Sequence, residues 1–302
     1  FLRGAERLGS GQLIISDNNP SLEYYLNDLK GRLGLSEDGV SRIIESRSSV
    51  DDVWEQITQS SYFLSKAQKD TFKENWDSRL NKEYADKSFK RGVRSVGRSQ
   101  SIAHYRKAIS YDPYHVKAYY NLGVALQDEG NTNEAIIHYK TTINLKPDHV
   151  KAHYNLGVAL GREGKNSEAI SHYKRAIELN PEHAQAHNNL GLVLSQEGKT
   201  EEAISHYKIA INLKPDHFRA HNNLGVALQD EGKNSEAISH YKMAIEHKPE
   251  YYPAHNNLGY ALSREQKYEE SISHLRKAIK LKPDLAIAQN NLKKAISKLE
   301  KH

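Results

Sequence analysis

Residues 184–217 read AQAHNNLGLVLSQEGKTEEAISHYKIAINLKPDH, and this stretch decides the fold. Ala186, Leu190, Gly191, Val193 and Leu194 have helical spacing, and so do Ala203, Ile204, Tyr207, Ala210 and Ile211. Gly198, between the two sets, suits a helix C-terminus that needs a positive φ. Pro215 stops the second helix, because proline lacks the N–H and its ring clashes with the preceding turn. The unit is therefore helix, tight turn, helix, short loop. Gly191 and Ala203 carry almost no side chain, so the two helices can approach closely there, and Tyr207 and Leu194 are expected to fill the space between successive units.

The unit recurs at a step of 34 residues. Leu190-Gly191 is preceded by Leu122-Gly123 and Leu156-Gly157 and followed by Leu224-Gly225 and Leu258-Gly259. Pro113, Pro147, Pro181, Pro215, Pro249 and Pro283 keep the same step. A fixed period of this length denotes a solenoid, in which each unit buries its apolar face only against its neighbours. Such a chain presents a long surface and is not built to enclose a catalytic pocket.

With Leu-Gly, Gly, Ala, Tyr, Ala and Pro at constant places, the units resemble the tetratricopeptide repeat family. Five copies span 116–149, 150–183, 184–217, 218–251 and 252–285. The first has Thr142 where a small Ala is expected, and the fifth has Gln266, Ser271 and Leu275 in place of Gly, Ala and Tyr. Residues 82–115 resemble a degenerate copy whose second helix carries Tyr105, Ala108 and Pro113. Residues 286–302 begin like another first helix, with Asn291-Leu292, then turn Lys-rich, as a solvating cap would. The resemblance implies an all-α, right-handed superhelix acting as a binding scaffold. It does not imply a particular partner.

The chain has no cysteine, which excludes disulfides, thiolate catalysis and Cys-type zinc sites. No apolar run approaches the ~20 residues needed to span a bilayer. We expect a soluble protein, cytoplasmic rather than secreted. The chain starts at Phe1, which points to a processed form or a fragment. Its net charge of +5 is concentrated between Arg79 and Gln100, where seven basic residues face only Glu83 and Asp86. That segment is either a patch for an anionic partner or the solvated face of a long helix. Tyr84 and Phe89 are its only aromatics and no nucleic-acid module is recognisable, so the solvated face is expected and nucleic acid is not.

Residues 1–81 lack the repeat and read as a small helical region of no recognised family. After an irregular start, Pro20 opens a helix to about Leu33. Shorter helices follow around Val40–Ile44 and Val53–Phe63, then a long one from about Lys66 to Gly92.

The resemblance implies that first helices line a concave face. There, each Leu-Gly pair is preceded by an asparagine: Asn121, Asn155, Asn189, Asn223 and Asn257, with Asn291 in the cap. An Asn side chain both donates and accepts, so a row of them can pair with an extended peptide backbone of any sequence. The row resembles the asparagine ladder in the repeats of O-linked N-acetylglucosamine transferase, without a catalytic domain. The place before it changes from Tyr120 and Tyr154 to Asn188, Asn222 and Asn256. The second place of each repeat is Lys117, Lys151, Gln185, Arg219 and Pro253. Aromatic and basic character toward the N-terminal end would favour an acidic or aromatic peptide there. Chaperone-binding members of the family clamp a terminal carboxylate with Lys and Asn one turn apart. Here the one-turn partner is Val or Leu and the later Arg is replaced by Asn, so that clamp is not expected.

Fourteen of the sixteen histidines fall at three repeat places. His149 and His153 have a ligand-like spacing of four, but equivalent residues of successive repeats lie roughly 10 Å apart for each packed helix. No carboxylate completes a recognisable site, so structural histidines are expected and no metal or other cofactor. No nucleophile constellation, phosphate loop or dinucleotide fingerprint appears. The expected function is a non-enzymatic scaffold binding an extended peptide or a partner helix, in a chain of open oligomeric state. The alternatives are a docking or regulatory part of a larger enzyme, or an assembly subunit of a large complex.

Overall fold

In a computed structural model, residues 6–7, 13–14 and 66–301 are described, and side chains from residue 78 onward with the exception of residues 79 and 80. The helices expected between Pro20 and Phe63 lie outside these residues. Glu6–Arg7 (β1) pairs antiparallel with Leu13–Ile14 (β2), where an irregular segment was expected. The chain divides into two compact units, residues 1–118 and 119–302.

In the first unit, α1 (Lys66–Arg94) packs on α2 (Arg98–Tyr111). The contact is close because Gly92 has no side chain: a Cβ there would lie 2.5 Å from Tyr105 Cε1. Phe89 lies against Tyr105 and His115, and the His115 ring meets Asp86 at 3.3 Å. The basic residues Lys82, Lys90, Arg91, Arg94 and Arg98 are exposed on this pair.

Helix pairs then alternate along the chain. Helix α3 (Val116–Asp128) precedes α4 (Thr132–Leu145), and α5 (Val150–Arg162) precedes α6 (Asn166–Leu179). Next come α7 (Ala184–Gln196) with α8 (Thr200–Leu213), and α9 (Phe218–Asp230) with α10 (Asn234–His247). Last are α11 (Tyr252–Arg264) with α12 (Tyr268–Leu281), and the single α13 (Ala286–Leu299).

The same local chemistry shapes each pair. Gly198 takes φ +75°, and the N–H of Lys199 reaches back to the Leu194 carbonyl at 2.9 Å, closing the helix end. Leu190 is fully buried, worth about 2 kcal/mol. The Tyr207 ring lies against Gly191 of its own repeat, where a Cβ would stand 2.8 Å from Cε1. This ring, expected between successive units, thus fills space against the first helix of its own repeat. Atypical residues find local partners. Thr142 Oγ1 donates to the His138 carbonyl at 2.8 Å, and Ser271 Oγ to the Gly259 carbonyl at 2.6 Å.

Successive first helices touch one another: α5 meets α7, α7 meets α9, α9 meets α11 and α11 meets α13. Among the described residues no comparable contact joins successive second helices. First helices therefore crowd the inner side of the curve. This architecture is an all-α array of tetratricopeptide-type helix pairs.

Candidate functional site

The asparagine row lies on the inner side, half-buried, and the structure shows what part of each amide is already engaged. Asn155 Nδ2 donates to Tyr120 Oη at 3.1 Å, and Asn189 Nδ2 to Tyr154 Oη at 3.1 Å. From the next repeat onward the acceptor is an asparagine carbonyl. Asn223 donates to Asn188 Oδ1 at 3.1 Å, Asn257 to Asn222 at 3.1 Å, and Asn291 to Asn256 at 3.3 Å. Asn188 and Asn256 donate in turn to their neighbours Asn189 and Asn257, at 3.0 and 3.1 Å. Asn222 reaches Asn223 at 3.5 Å. A chain of amides thus runs from Asn291 to Tyr154, tying each first helix to the one before.

Sequence reasoning named Asn188, Asn222 and Asn256 but missed this role. The available signal was a separation of 35 residues and the exchange of Tyr for Asn, which preserves an acceptor oxygen. An amide has two N–H bonds and two carbonyl lone pairs. Asn223 and Asn257 each spend one N–H and one lone pair inside the array, leaving one of each. Beside the row, Leu192, Val226 and Tyr260 are 42%, 37% and 39% exposed, large apolar groups presented on the same helices.

Tyr120 and Tyr154 are held from both sides. Each accepts from the row, and each ring lies against a loop histidine: Tyr120 on His149 at 4.8 Å, Tyr154 on His183 at 4.7 Å. Burial raises both phenol pKa values, against the bond from the asparagine. Lys151 and Arg219 are exposed at the second place of their repeats. Arg219 shares a cavity with Tyr154 and Asn189, so these three expected site residues come together. Asn121 is half-buried in the second unit, and Lys117 is exposed in the first.

The histidines follow a different logic. His149, His183 and His217 cap the first helices, each accepting at Nδ1 from the backbone N–H three residues on. His153 donates from Nε2 to the Pro147 carbonyl at 3.0 Å, and its Nδ1 lies 3.1 Å from His172 Nδ1. The pair recurs as His187–His206, His221–His240 and His255–His274, at 3.0 to 3.1 Å. A carbonyl can only accept, so His153 Nε2 carries its proton and its Nδ1 must accept from His172. His149 Nδ1 and both ring nitrogens of His153 have these other uses, which leaves His153 no nitrogen for a chelate shared with His149. Among the described residues no group of three or more His, Asp or Glu could hold a metal ion, and no helix is long and apolar enough to cross a membrane. The pairing signal, a separation of 19 residues repeated four times, was present in the sequence but unread.

Models of the tetratricopeptide repeat family match residues 114–182, 154–218, 218–251 and 252–285. No curated protein sequence matches the chain. Among solved structures, pilF of Pseudomonas aeruginosa is 20% identical, with a TM-score of 0.62 over 70% of this chain and 97% of its own. YrrB, described as a TPR protein with an unusual peptide-binding site, is 24% identical, with a TM-score of 0.51 over 63% of this chain and 97% of its own. At these identities the likeness is one of fold. MamA is 33% identical over 50% of this chain and 89% of its own, with a TM-score of 0.48.

Proposed function

The chain belongs, through residues 114–285, to the tetratricopeptide repeat family, and on that premise we propose a non-catalytic protein-interaction scaffold whose first-helix groove holds an extended peptide. One observation carries the reading: the row from Asn155 to Asn257 is held in register by bonds between repeats, yet Asn223 and Asn257 keep an unspent N–H and an unspent lone pair. A donor and an acceptor on each residue match the alternation of C=O and N–H along an extended backbone. The exposed Leu192, Val226 and Tyr260 beside the row supply apolar contact area. The affinity then comes from backbone pairing and the selectivity from side chains next to the row.

The test is selection of phage-displayed random peptides of about twelve residues, roughly 40 Å when extended, on the immobilised chain. Selected peptides are then titrated against N223A/N257A. Two lost hydrogen bonds at ~0.5–1.5 kcal/mol each predict roughly fivefold to 150-fold weaker binding. Helical circular dichroism should be retained. Equal affinity of the variant, or the absence of any selectable peptide, would refute the reading.

A further inference from the structure

Repeats share the residues that hold them together, and a site that discriminates among ligands lies where they differ. The first two places of the repeats are Val116-Lys117, Val150-Lys151, Ala184-Gln185, Phe218-Arg219 and Tyr252-Pro253. Phe218 and Arg219 border a cavity of about 150 Å³, with Tyr154 and Asn189 also in its wall, together with Lys214 and the carboxylate of Asp216. It is small enough to take one side chain and too small for a folded element.

Two cations, Arg219 and Lys214, outnumber one carboxylate, Asp216, around the cavity, and its arginine is held in place. The Arg219 guanidinium lies over the Phe218 ring at 5.0 Å. The same ring carries Lys248 Nζ at 5.4 Å and meets Tyr251 edge-on at 4.8 Å. Stacking keeps the planar fork of Arg219 oriented. Arg219 has no carboxylate within ion-pair distance among the described residues. Lys214 approaches Asp216 only at 4.0 Å, with the two side chains 48% and 67% exposed, and such a pair contributes little. The field is felt nearby: burial first, with Lys214 and Arg219 adding to it, holds the His217 imidazole below its usual range, against a backbone hydrogen bond and the pull of Asp216.

We propose that this cavity anchors an internal aspartate or glutamate side chain of the extended peptide, with Arg219 as the principal contact and Lys214 in support. This rests on the groove reading above and names its selectivity. A carboxylate would complete the charge pairing that Arg219 lacks, and the guanidinium can bind it through two parallel N–H bonds. The residue is internal, not the C-terminal carboxylate, because the row continues past the cavity on both sides, with Asn155 before it and Asn223 and Asn257 after it. Neighbouring repeats do not reproduce the set. One repeat earlier, Asn180 and Gln185 replace both cations; one repeat later, Lys248 faces Pro253. Two repeats earlier, Lys146 and Lys151 flank Val150, with no aromatic to orient them. The acidic preference thus belongs in the middle of the array and not at its N-terminal end.

The experiment uses the full chain and the same random peptide library, panned in parallel on the wild type and on R219Q. Selected peptides are synthesised with free and with amidated C-termini and titrated by fluorescence polarisation. The expected result is enrichment of Asp or Glu at one internal position on the wild type and its loss on R219Q. Changing that residue to Asn or Gln, or Arg219 to Gln, should each weaken binding about tenfold, with little further loss when combined. R219K should recover part of the affinity. K151Q should change affinity by less than about twofold, as for an unpaired surface charge. Selection of neutral peptides overturns this proposal and leaves the groove reading standing; failure to select any peptide overturns both. Equal affinity of R219Q for the acidic peptide, a larger effect of K151Q than of R219Q, or a requirement for the free C-terminus would also overturn it.

Discussion

Gln266 takes φ +61°, at the place where the other four repeats carry Gly130, Gly164, Gly198 and Gly232, all at positive φ. A side chain in this left-handed region costs roughly 1–2 kcal/mol, while glycine's greater freedom in the unfolded chain takes back about 0.5–1 kcal/mol. Gln266→Gly is therefore expected to stabilise the fifth repeat by about 0.5–1 kcal/mol. Hydrogen exchange of amides in α11 and α12 should read this as slower exchange, with little change in α5 and α6. Faster exchange would mean that the Gln266 side chain compensates its own backbone strain. The asparagines show the opposite economy: one residue type closes the joint between repeats and keeps valences for a ligand, so its substitution acts on stability and binding together.

The second helices α6, α8, α10 and α12 each carry one member of a histidine pair, and the pairs make the array sensitive to acid. Burial holds His172, His206, His240 and His274 below the usual imidazole range, and the partner histidines His153, His187, His221 and His255 add to this. Lys140, Lys174, Lys208 and Lys242, one second helix earlier, push the same way; Glu168, Glu202, Glu236 and Glu270, on the same helices, oppose. Protonating the accepting Nδ1 would set two N–H groups against each other. Folded-state values below the unfolded ~6.5 mean that the unfolded chain binds protons first. The stabilisation is fully present above about 6.5 and is lost as pH falls through the folded-state values. Thermal midpoints should thus drop between about pH 7 and 5. His187→Gln should flatten the curve, because Gln289 already makes the equivalent bond to the Pro283 carbonyl at 2.8 Å without titrating. A midpoint independent of pH over this range would contradict the pairing.

At the scale of the whole array, stability is a sum of repeats and of joints between neighbours. Helix α13 closes the last joint. Ala288 and Ala295 are buried with Ile272, Leu275 and Ala278, and Leu292 and Ile296 pack against them. Ile287 is 57% exposed, and Ala288 and Ala295 make the buried contact instead. Lys293 stands where every full repeat has the Gly that receives Tyr or Leu, so α13 does not offer the surface on which a further second helix packs. Truncation after Asp284 should fray α11 and α12 first, uncovering Leu275; Tyr260 is already 39% exposed and reports nothing new. Protection in α5 to α8 should persist. A uniform loss across these helices would show that unfolding is cooperative over the array and that nearest-neighbour additivity fails here.

The sequence alone determined the helix pairs, their turns and their order. Leu-Gly, the turn glycine, Tyr and the terminal Pro act within one unit of 34 residues, where spacing translates directly into helix face and helix end. It also located the asparagine row, because that row is periodic. Helices before Lys66 were read from the same kinds of signal and lie outside the described residues. Only the tertiary structure decided who meets whom: Asn189 with Tyr154, His187 with His206, and Arg219 with Phe218, Asn189 and Lys214 about one cavity. Those meetings depend on the angle and offset between successive helix pairs, which the whole interface sets. A single period records how often a residue returns, and carries no measure of that rotation.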